Sequence, residues 1–267
     1  MFELKQSGGT AYYTVSELEE TGLVKHGFST RRGGVSTGIF SQMNFRPDHG
    51  DSPENIKENF RIFSEAVGVE YNKLVLSRQV HETQVRKVTI EDAGNGLLYE
   101  NRFESADALM TDVPGLGLIV FYADCVPVLF LDPGKKAVAA VHSGWRGTVG
   151  GICEKTVGAM AEAYGSCPRD IICAVGPSIG ECCYEVSCDV AERFAERFGP
   201  SVVRIAQEGG IYVSLQKAVG IALKEAGMLE EKIIQAGVCT SCHSELLFSH
   251  RKTQGQRGTM GAVIALK

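Results

Sequence analysis

The chain has 267 residues, of which 44% are hydrophobic and 22% are charged, and its formal net charge is −5. A chain of this size can bury a full core as one large domain or two small ones, and it offers no global basic field to nucleic acid or anionic lipid. The longest apolar run, Gly115 to Leu131, is interrupted by Asp124 and Pro127 and is too short to span a bilayer. The first residues carry no basic segment followed by an apolar run, so we expect a cytoplasmic protein without a membrane partner.

The predicted elements mix strands and helices along the whole chain. One or two strands are expected within residues 1–24. Helical spacing of apolar residues predicts helices over Pro53–Val67 (with Asp51 or Ser52 as N-cap), Ile152–Tyr164, Cys188–Phe198 and Tyr212–Ala226. Apolar, β-branched runs predict strands over Gly117–Tyr122, Val126–Leu131, Ala137–Val141, Ile171–Val175, Ile233–Val238 and Gly261–Leu266. Without a linker or an internal repeat, this order predicts one α/β or α+β domain over residues 1–267.

The segment from Ala137 to Gly151, AVAAVHSGWRGTVGG, predicts a strand, a glycine-rich turn and the approach to a helix. Such a turn delivers backbone N–H groups and a helix N-terminus to one point, which favours an anion. His142 stands at the end of the strand, where α/β folds tend to keep their chemistry. The competing interpretation is a tight turn in which the glycines serve only backbone geometry.

Three further polar segments interrupt the apolar pattern. Arg31 and the arginine after it precede a Gly-Gly turn and could clamp an oxyanion, although a solvated loop explains them equally well. Residues 44–51 form a polar loop that includes Asp48 and His49. His81 lies in a polar group between two strand-like runs, as either a hydrogen-bonded structural histidine or part of a site.

A three-residue metal site is one hypothesis for these interruptions. Catalytic zinc usually takes three protein ligands and keeps its fourth position for water, and His81, Cys125 and His142 could supply that set. Asp124 and Cys125 interrupt two strand-like runs one short hairpin before His142. Spacing alone leaves the set a guess, because non-local ligands carry no sequence signature.

The nine cysteines raise a second possibility. Without an export signal, a disulfide framework is not expected, and a free cysteine most often packs in the core. We expect core packing for Cys153, Cys167 and Cys173. We expect it also for the adjacent Cys182 and Cys183, because on a strand their side chains would point to opposite faces and make a poor ligand pair. The segment Cys239–His243 has the C-x-x-C-H spacing of covalent haem attachment, a chemistry that needs an exported chain. With His250, the same residues could instead hold a structural zinc ion.

An ordered set of motifs runs from His26 to Ile264: HGFSTRRGGVS, NF with a later GD, SRQVH, ADALMT, ADCVPVLF, VHSGWRGT, GPSIGECCYEV, CT followed by FSHR, and RGTMGAVI. In these motifs the chain resembles the multifunctional purine nucleoside phosphorylases, the YfiH-like family formerly called laccase-domain proteins or polyphenol oxidases. The resemblance implies a layered α/β sandwich similar to the catalytic domain of cytotoxic necrotizing factor. It also implies zinc bound by His81, Cys125 and His142, with copper as the alternative metal.

The resemblance further implies phosphorolysis of adenosine, inosine, guanosine and S-methyl-5′-thioadenosine, together with deamination of adenosine. Purine nucleosides and phosphate are then the expected partners. Phosphorolysis needs a bound phosphate aimed at the ribose C1′, which is mostly a matter of positioning and charge. Arg146 with the turn from Gly144 to Gly147 is the preferred phosphate cradle, and Arg31 and Arg251 are weaker candidates.

Other residues of the matching motifs are expected at the same site. Asn44 and Gln79 are expected substrate contacts, and Asp124 is a candidate proton carrier whose competing role is to orient a ligand. The chain departs from the family pattern at Phe45, at Ser214 and at other possible substrate contacts, which leaves the preferred nucleoside open.

Three alternatives stay open at the level of sequence. Cys125 and His142 could form a thiolate–imidazole pair in a cysteine hydrolase. Copper-dependent oxidation of phenols is less favoured, because multicopper oxidases need clustered histidines and this chain has six scattered ones. A non-enzymatic, zinc-stabilised binding protein would close its site with a fourth ligand such as Cys239 or Cys242.

Overall fold

The computed structural model describes residues 1–46, 50–207 and 209–267, so Asp48 and His49 of the polar loop lie outside the described residues. The strands are β1 (Phe2–Ser7), β2 (Thr10–Val15), β3 (Val24–Ser29), β4 (Leu74–Leu76), β5 (Val85–Lys87), β6 (Ala108–Thr111), β7 (Gly117–Tyr122), β8 (Val126–Asp132), β9 (Ala137–Ser143), β10 (Ile172–Val175), β11 (Val203–Ile205), β12 (Ile211–Val213), β13 (Ile233–Gln235) and β14 (Met260–Leu266). The helices are α1 (Ser16–Glu19), α2 (Pro53–Val67), α3 (Trp145–Val149), α4 (Ile152–Tyr164), α5 (Cys188–Phe198) and α6 (Leu215–Glu225).

Two six-stranded sheets form the centre of this mixed α/β fold. The first has the strand order β1-β2-β3-β14-β7-β4, and the second has the order β13-β10-β8-β9-β6-β5. Most neighbours are antiparallel, but the pairs β4–β7, β5–β6 and β10–β13 are parallel. The chain passes from the first sheet to the second between β4 and β5 and again between β7 and β8. These two crossings lie side by side, because β4 and β7 run in the same direction.

The two sheets stack face to face, with helices on both outer faces. Strand β7 shows why: Leu118 and Val120 join the cluster between the sheets, whereas Ile119 and Phe121 join the cluster beneath α2. Helices α3 to α6 cover the outer face of the second sheet. A strand that is buried on both faces has apolar residues at nearly every position, and β7 and β8 have this pattern. The layered sandwich expected from the resemblance is confirmed.

Most predicted elements are present, and local chemistry sets their ends. Helix α2 begins where the Ser52 hydroxyl accepts the Asn55 N–H and ends at Gly68 in the left-handed conformation. The predicted start of a helix at Tyr212 is wrong, because residues 211–213 pair with β11 and Ser214 caps the helix that follows. Cys153 and Cys173 are buried as predicted, but Cys167 lies exposed in the α4–β10 connection, so its assignment to the core is wrong.

None of the helices in the described part of the chain combines the length and apolar character needed to traverse a bilayer.

Candidate metal centre and active site

The β8–β9 hairpin brings Cys125 and His142 together at its open end. Pro127 of β8 lies opposite His142 of β9, and Val126 lies opposite Ser143. Cys125, immediately before β8, therefore reaches the level of the turn that follows β9. That turn enters the short helix α3, which the glycine-rich sequence did not predict, and Gly144 is its N-cap.

His81 reaches the same point from the crossing between β4 and β5. His81 has a positive φ of 62°, and Asp124 in the other crossing has a positive φ of 90°. Positive φ values are uncommon for residues other than glycine. The backbone N–H groups of residues 80–82 all donate to the carboxylate of Asp107, at 3.1 Å each. Asp107 is fully buried in front of β6, so it anchors the loop that carries His81.

The three predicted ligands converge. The ligand atoms of His81, Cys125 and His142 lie within 4.8 Å of one another, so these residues could hold one metal ion. The two imidazole rings are nearly perpendicular, with centroids 4.8 Å apart. His142 is buried, Cys125 is partly buried and His81 is exposed, so the group opens to solvent on one side. Three ligands with an open side match the usual arrangement of a catalytic zinc site.

Asp107 also orients His142. Its Oδ1 lies 2.8 Å from Nδ1 of His142, and its backbone carbonyl accepts the His142 N–H at 2.8 Å. A carboxylate on Nδ1 leaves Nε2 of the imidazole available to a metal, as in carboxylate–histidine–zinc arrangements. Burial would raise the pKa of Asp107, but His142 and the surrounding N–H groups outweigh it and lower that pKa.

Cys125 and His142 favour each other's charged forms. Burial of the Cys125 thiol would raise its pKa, but the neighbouring His142 and His81 outweigh burial and lower it. Burial alone would lower the pKa of His142, but the Cys125 thiolate and the Asp107 carboxylate outweigh it and raise that pKa. The site therefore stabilises a thiolate, which is the form that binds metals or acts as a nucleophile.

Gly144 leaves the space that this convergence needs. A Cβ atom at this position would lie 2.8 Å from Nδ1 of His81 and 3.2 Å from the Cys125 sulfur. Its φ of −74° is open to any residue, so the requirement for glycine is the close approach rather than backbone conformation.

Asp124 joins three loops beside the ligands. Its Oδ1 accepts the Thr240 hydroxyl at 2.6 Å and its Oδ2 accepts the Arg251 N–H at 2.7 Å. Its backbone carbonyl accepts the Ile179 N–H at 2.9 Å. Each carboxylate oxygen thus already has a partner within the protein, in agreement with a positioning role.

An open cleft of about 440 Å³ is lined by Trp145, Tyr184, Arg251 and the segment after Tyr184. It lies near the ligand group, because Trp145 follows Gly144 and the Arg251 N–H donates to Asp124, the neighbour of Cys125. The exposed Arg146 guanidinium lies 4.5 Å from the Trp145 ring centroid, and Nη1 of Arg251 donates to the Glu185 carbonyl at 2.6 Å. Burial and the charges of Cys125 and Asp124 raise the pKa of Tyr184 to about 12, against the opposing charges of Arg251 and Arg146. The Tyr184 hydroxyl therefore lies close enough to Cys125 on one side and to Arg251 and Arg146 on the other for their charges to affect its pKa.

Arg31, Asn44 and Gln79 make their polar contacts with other parts of the protein. Arg31 donates to the carbonyls of Ser41 and Ser244 and stacks on Phe248. Asn44 is fully buried, donating to Asp51 and accepting the Thr259 N–H. The Gln79 amide pairs with the backbone of Phe121 in both directions, like a strand neighbour. These contacts brace the loops around the site.

Sequence reasoning missed Asp107, Tyr184 and Arg257. A single aspartate in front of an apolar strand was the available sign for Asp107. Burial lowers the pKa of Arg257, and the nearby negative charges of Asp124 and Cys125 act in the opposite direction. Its buried Nε finds no hydrogen-bond partner among the residues that the structure describes. Arg257 begins the RGTMGAVI motif, which was the available sign for it, but its composition and spacing alone do not distinguish it from a surface arginine.

Four of the other cysteines form a second group. The assignment of Cys182 to core packing is wrong, because Cys182 is exposed, whereas Cys183 is partly buried and packs against the core. Residues 181–183 form a turn rather than a strand, so neighbouring side chains need not point in opposite directions. Their sulfur atoms meet those of Cys239 and Cys242. The two histidines predicted to join Cys239 and Cys242 in a structural zinc site are not part of this group: His243 faces Glu245, and His250 lies beside Arg257.

A layered α/β sandwich with an open His–Cys–His group where the chain crosses between its sheets defines a laccase-domain protein. Residues 25–267 match the family model described as multi-copper polyphenol oxidoreductase laccase, and the chain belongs to this family. The relatives place it with the YfiH-like and YlmD-like proteins of that family.

One relative, the purine nucleoside phosphorylase YlmD of Geobacillus stearothermophilus, is 35% identical over 242 residues, which are 89% of this chain and 88% of that protein. The crystal structure of YlmD from the same organism superposes with a TM-score of 0.90 at 32% identity, covering 100% of this chain and 98% of that one. The crystal structure of the hypothetical protein YfiH of Bacillus licheniformis superposes with a TM-score of 0.92 at 31% identity, covering 100% and 99%.

Proposed function

We propose that this chain is a zinc-dependent purine nucleoside phosphorylase that also deaminates adenosine, with residues 1–267 acting as one domain. Its substrates are adenosine, inosine, guanosine and S-methyl-5′-thioadenosine, with phosphate as the acceptor of the ribosyl group. One observation carries the proposal: His81, Cys125 and His142 converge beside an open cleft, in a chain whose relatives are named purine nucleoside phosphorylases.

These three residues would hold the zinc ion. The fit rests on the donor set, on the Asp107 carboxylate that leaves Nε2 of His142 free, and on the space that Gly144 keeps beside the ligands. When bound, zinc would supply an electrophilic centre that orients and polarises a substrate oxygen for phosphorolysis, and it would lower the pKa of a water molecule for deamination at C6 of adenine.

Phosphorolysis requires a phosphate oxygen to bond to C1′ of the ribose while the C1′–N9 bond breaks and its electron pair leaves with the purine. Arg146, with the turn from Gly144 to Gly147, binds the phosphate, and Arg251, which lines the cleft, assists. The exposed Arg146 guanidinium supports this assignment, because guanidinium holds phosphate through two parallel hydrogen bonds. The cleft has the volume of a small-molecule site.

Asp124 serves as a positioning residue: its two hydrogen bonds keep Thr240 and Arg251 in place around the cleft. Arg31, Asn44 and Gln79 act one step further out, because their polar groups hold the surrounding loops.

The direct test is to incubate zinc-loaded protein with adenosine, with and without phosphate, and to separate the products by liquid chromatography. Adenine that forms only with phosphate supports phosphorolysis, and inosine in both samples supports deamination. A Cys125→Ser preparation measures any contaminating host phosphorylase, and a Cys188→Ser preparation controls for replacing an exposed cysteine. If zinc is bound and neither product forms, the nucleoside proposal fails.

The identity of the metal needs its own measurement, since a His₂Cys donor set suits copper as well as zinc. Elemental analysis of the purified protein should find zinc. Copper at the same site, together with oxidation of a phenol, would support the polyphenol oxidase alternative instead.

A cysteine hydrolase is the second candidate, because Cys125, His142 and Asp107 also form a thiolate–imidazole–carboxylate series. The two functions differ in metal dependence. A nucleophilic Cys125 works in protein stripped of metal and becomes blocked by iodoacetamide, whereas a metal ligand loses its function on stripping.

A further inference from the structure

Two loops meet beyond the ends of the parallel strands β10 and β13. Both strands point their carboxyl ends to the same edge of the second sheet. The pairing continues past them: the Ser178 N–H donates to the Val238 carbonyl at 3.2 Å, and the Thr240 N–H donates to the Ser178 carbonyl at 3.0 Å. The turn at residues 181–183 is thereby fixed against the turn that begins at Cys239.

Each turn contributes two cysteines to one cluster. The sulfur atoms of Cys182, Cys183, Cys239 and Cys242 all lie within 4.8 Å of one another. Cys242 is 3.5 Å from Cys182 and 3.5 Å from Cys183, sulfur to sulfur. A tetrahedral zinc ion with Zn–S bonds of about 2.3 Å sets its sulfurs about 3.8 Å apart. A disulfide requires about 2.05 Å, so the spacing fits shared coordination of a metal better than any one cystine bond.

The surroundings of the cluster also suit a metal. The Gly180 N–H donates to the Cys239 sulfur at 3.2 Å, the kind of contact that supports a metal-bound thiolate. A Cβ at Gly180 would lie 3.1 Å from the Cys182 sulfur and 3.4 Å from the Cys239 sulfur, so a side chain there would crowd the cluster. Cys239 is buried, whereas Cys182 and Cys242 are exposed, which leaves a path for the ion to enter.

We propose that Cys182, Cys183, Cys239 and Cys242 bind one zinc ion as a closed, structural tetrathiolate site, separate from the His81–Cys125–His142 group. Four protein ligands of this kind are typical of structural zinc. The site is a cross-link between two loops that are far apart in sequence, so it acts mainly on stability.

The proposed site would also brace the cleft, a consequence that rests on the proposed function. Thr240 follows Cys239 and donates to Asp124, and Tyr184 follows Cys183 and lines the cleft. Ile179, just before Gly180, donates its N–H to the Asp124 carbonyl. Loss of the ion would loosen both loops that flank Cys125, and we expect a raised KM for the nucleoside with a smaller change in kcat.

The test counts zinc in a Cys125→Ser background, where the His–Cys–His group is disabled and activity plays no part. Purified under reducing conditions, the Cys125→Ser protein should retain about one zinc ion per chain by mass spectrometric elemental analysis. Adding Cys182→Ser and Cys242→Ser should remove it, whereas adding Cys167→Ser and Cys188→Ser, two exposed cysteines outside the cluster, should not. Zinc retained after loss of both cluster cysteines, or iron in its place, would overturn the proposal.

A measurement on the unmodified chain covers the case in which the variants do not fold. The four cluster thiols should resist alkylation until a chelator is added, while Cys167 and Cys188 react at once, as peptide mass mapping can follow. Cobalt in place of zinc should give intense sulfur-to-metal charge-transfer absorption. Cluster thiols that react as fast as Cys167 without chelator, or a cystine bond within the cluster, would contradict a metal site.

Discussion

The two groups of potential metal ligands are built in opposite ways. His81, Cys125 and His142 lie at strand ends and sheet crossings, where Asp107 holds the backbone of one ligand and the side chain of another. The four cysteines lie on two turns, and within the described residues the Gly180 N–H is the backbone donor to their sulfurs. The first group has three members, which would leave a zinc ion one position for water, whereas the second has four, which would leave none.

This difference separates a centre for chemistry from a centre for stability. Where hydrogen bonds already fix the ligands, a metal adds reactivity to a site that the fold has prepared. Where four cysteines from two loops remote in sequence fill the coordination sphere, the metal acts as a cross-link.

The largest effect is expected from Cys125→Ser. Loss of a ligand should lower phosphorolysis more than about 100-fold, since even partners outside the ligand shell are worth about 10–100-fold. Chain stability and the zinc of the cysteine cluster should persist, because Asp107 already holds the His81 backbone and the His142 ring without a metal. Adenine formation, zinc content and thermal unfolding check this on one preparation, and a large drop in Tm would erase the contrast.

Asp107→Asn should weaken zinc affinity at the open group by about 10–100-fold. The amide cannot balance the charge of His142, and one of its terminal atoms is a donor facing backbone N–H groups. Competition with a fluorescent chelator measures the affinity. Asp132→Asn is the matched control: Asp132 is also buried and accepts two backbone N–H groups, but away from the ligands. Equal affinity losses in both variants would refute the orienting role.

Arg146→Met should raise the KM for phosphate about tenfold or more, the value of a hydrogen bond to a charged group, and should leave deamination of adenosine nearly unchanged. Steady-state rates of both reactions in one variant make the comparison. Arg61→Met removes another exposed arginine, from helix α2 on the outer face of the first sheet, and should change neither reaction. An equal loss in both reactions would remove Arg146 from the phosphate site.

Gly144→Ala should lower activity by a smaller factor, about tenfold. The new Cβ must displace His81 or Cys125 by several tenths of an ångström, and a misplacement of 1 Å costs about 100-fold. The control is Gly158→Ala in α4, where a Cβ meets open space and should stabilise the chain by about 0.5–1 kcal/mol. Full activity with full zinc content in Gly144→Ala would mean that the ligands tolerate the displacement.

The sequence allowed prediction of those features that depend on local chemistry. The Ser52 cap, the β8–β9 hairpin and the strand that ends at His142 follow from neighbouring residues. The three ligands were candidates because each polar residue interrupts an apolar run. Their convergence required the side-by-side crossings between the sheets, which no periodicity reveals.

The features that sequence reasoning missed depend on tertiary contacts. Strand alternation predicted that Cys182 and Cys183 point to opposite faces. They lie in a turn instead, and their sulfurs meet those of Cys239 and Cys242, which follow the neighbouring parallel strand β13. Asp107 gathers donors from two other segments, and Arg31 and Asn44 are held by carbonyl and amide groups distant in sequence. Propensity and spacing carry no information on such partners.

The most direct test of the central claim removes and restores the metal while adenosine phosphorolysis is followed. Wild-type protein is stripped with a chelator, then reloaded with zinc in steps, and adenine formation is measured beside bound zinc, with Cys125→Ser as the blank. We predict that activity disappears on stripping and returns in proportion to the zinc held by His81, Cys125 and His142. Full phosphorolysis in metal-free protein would contradict the account.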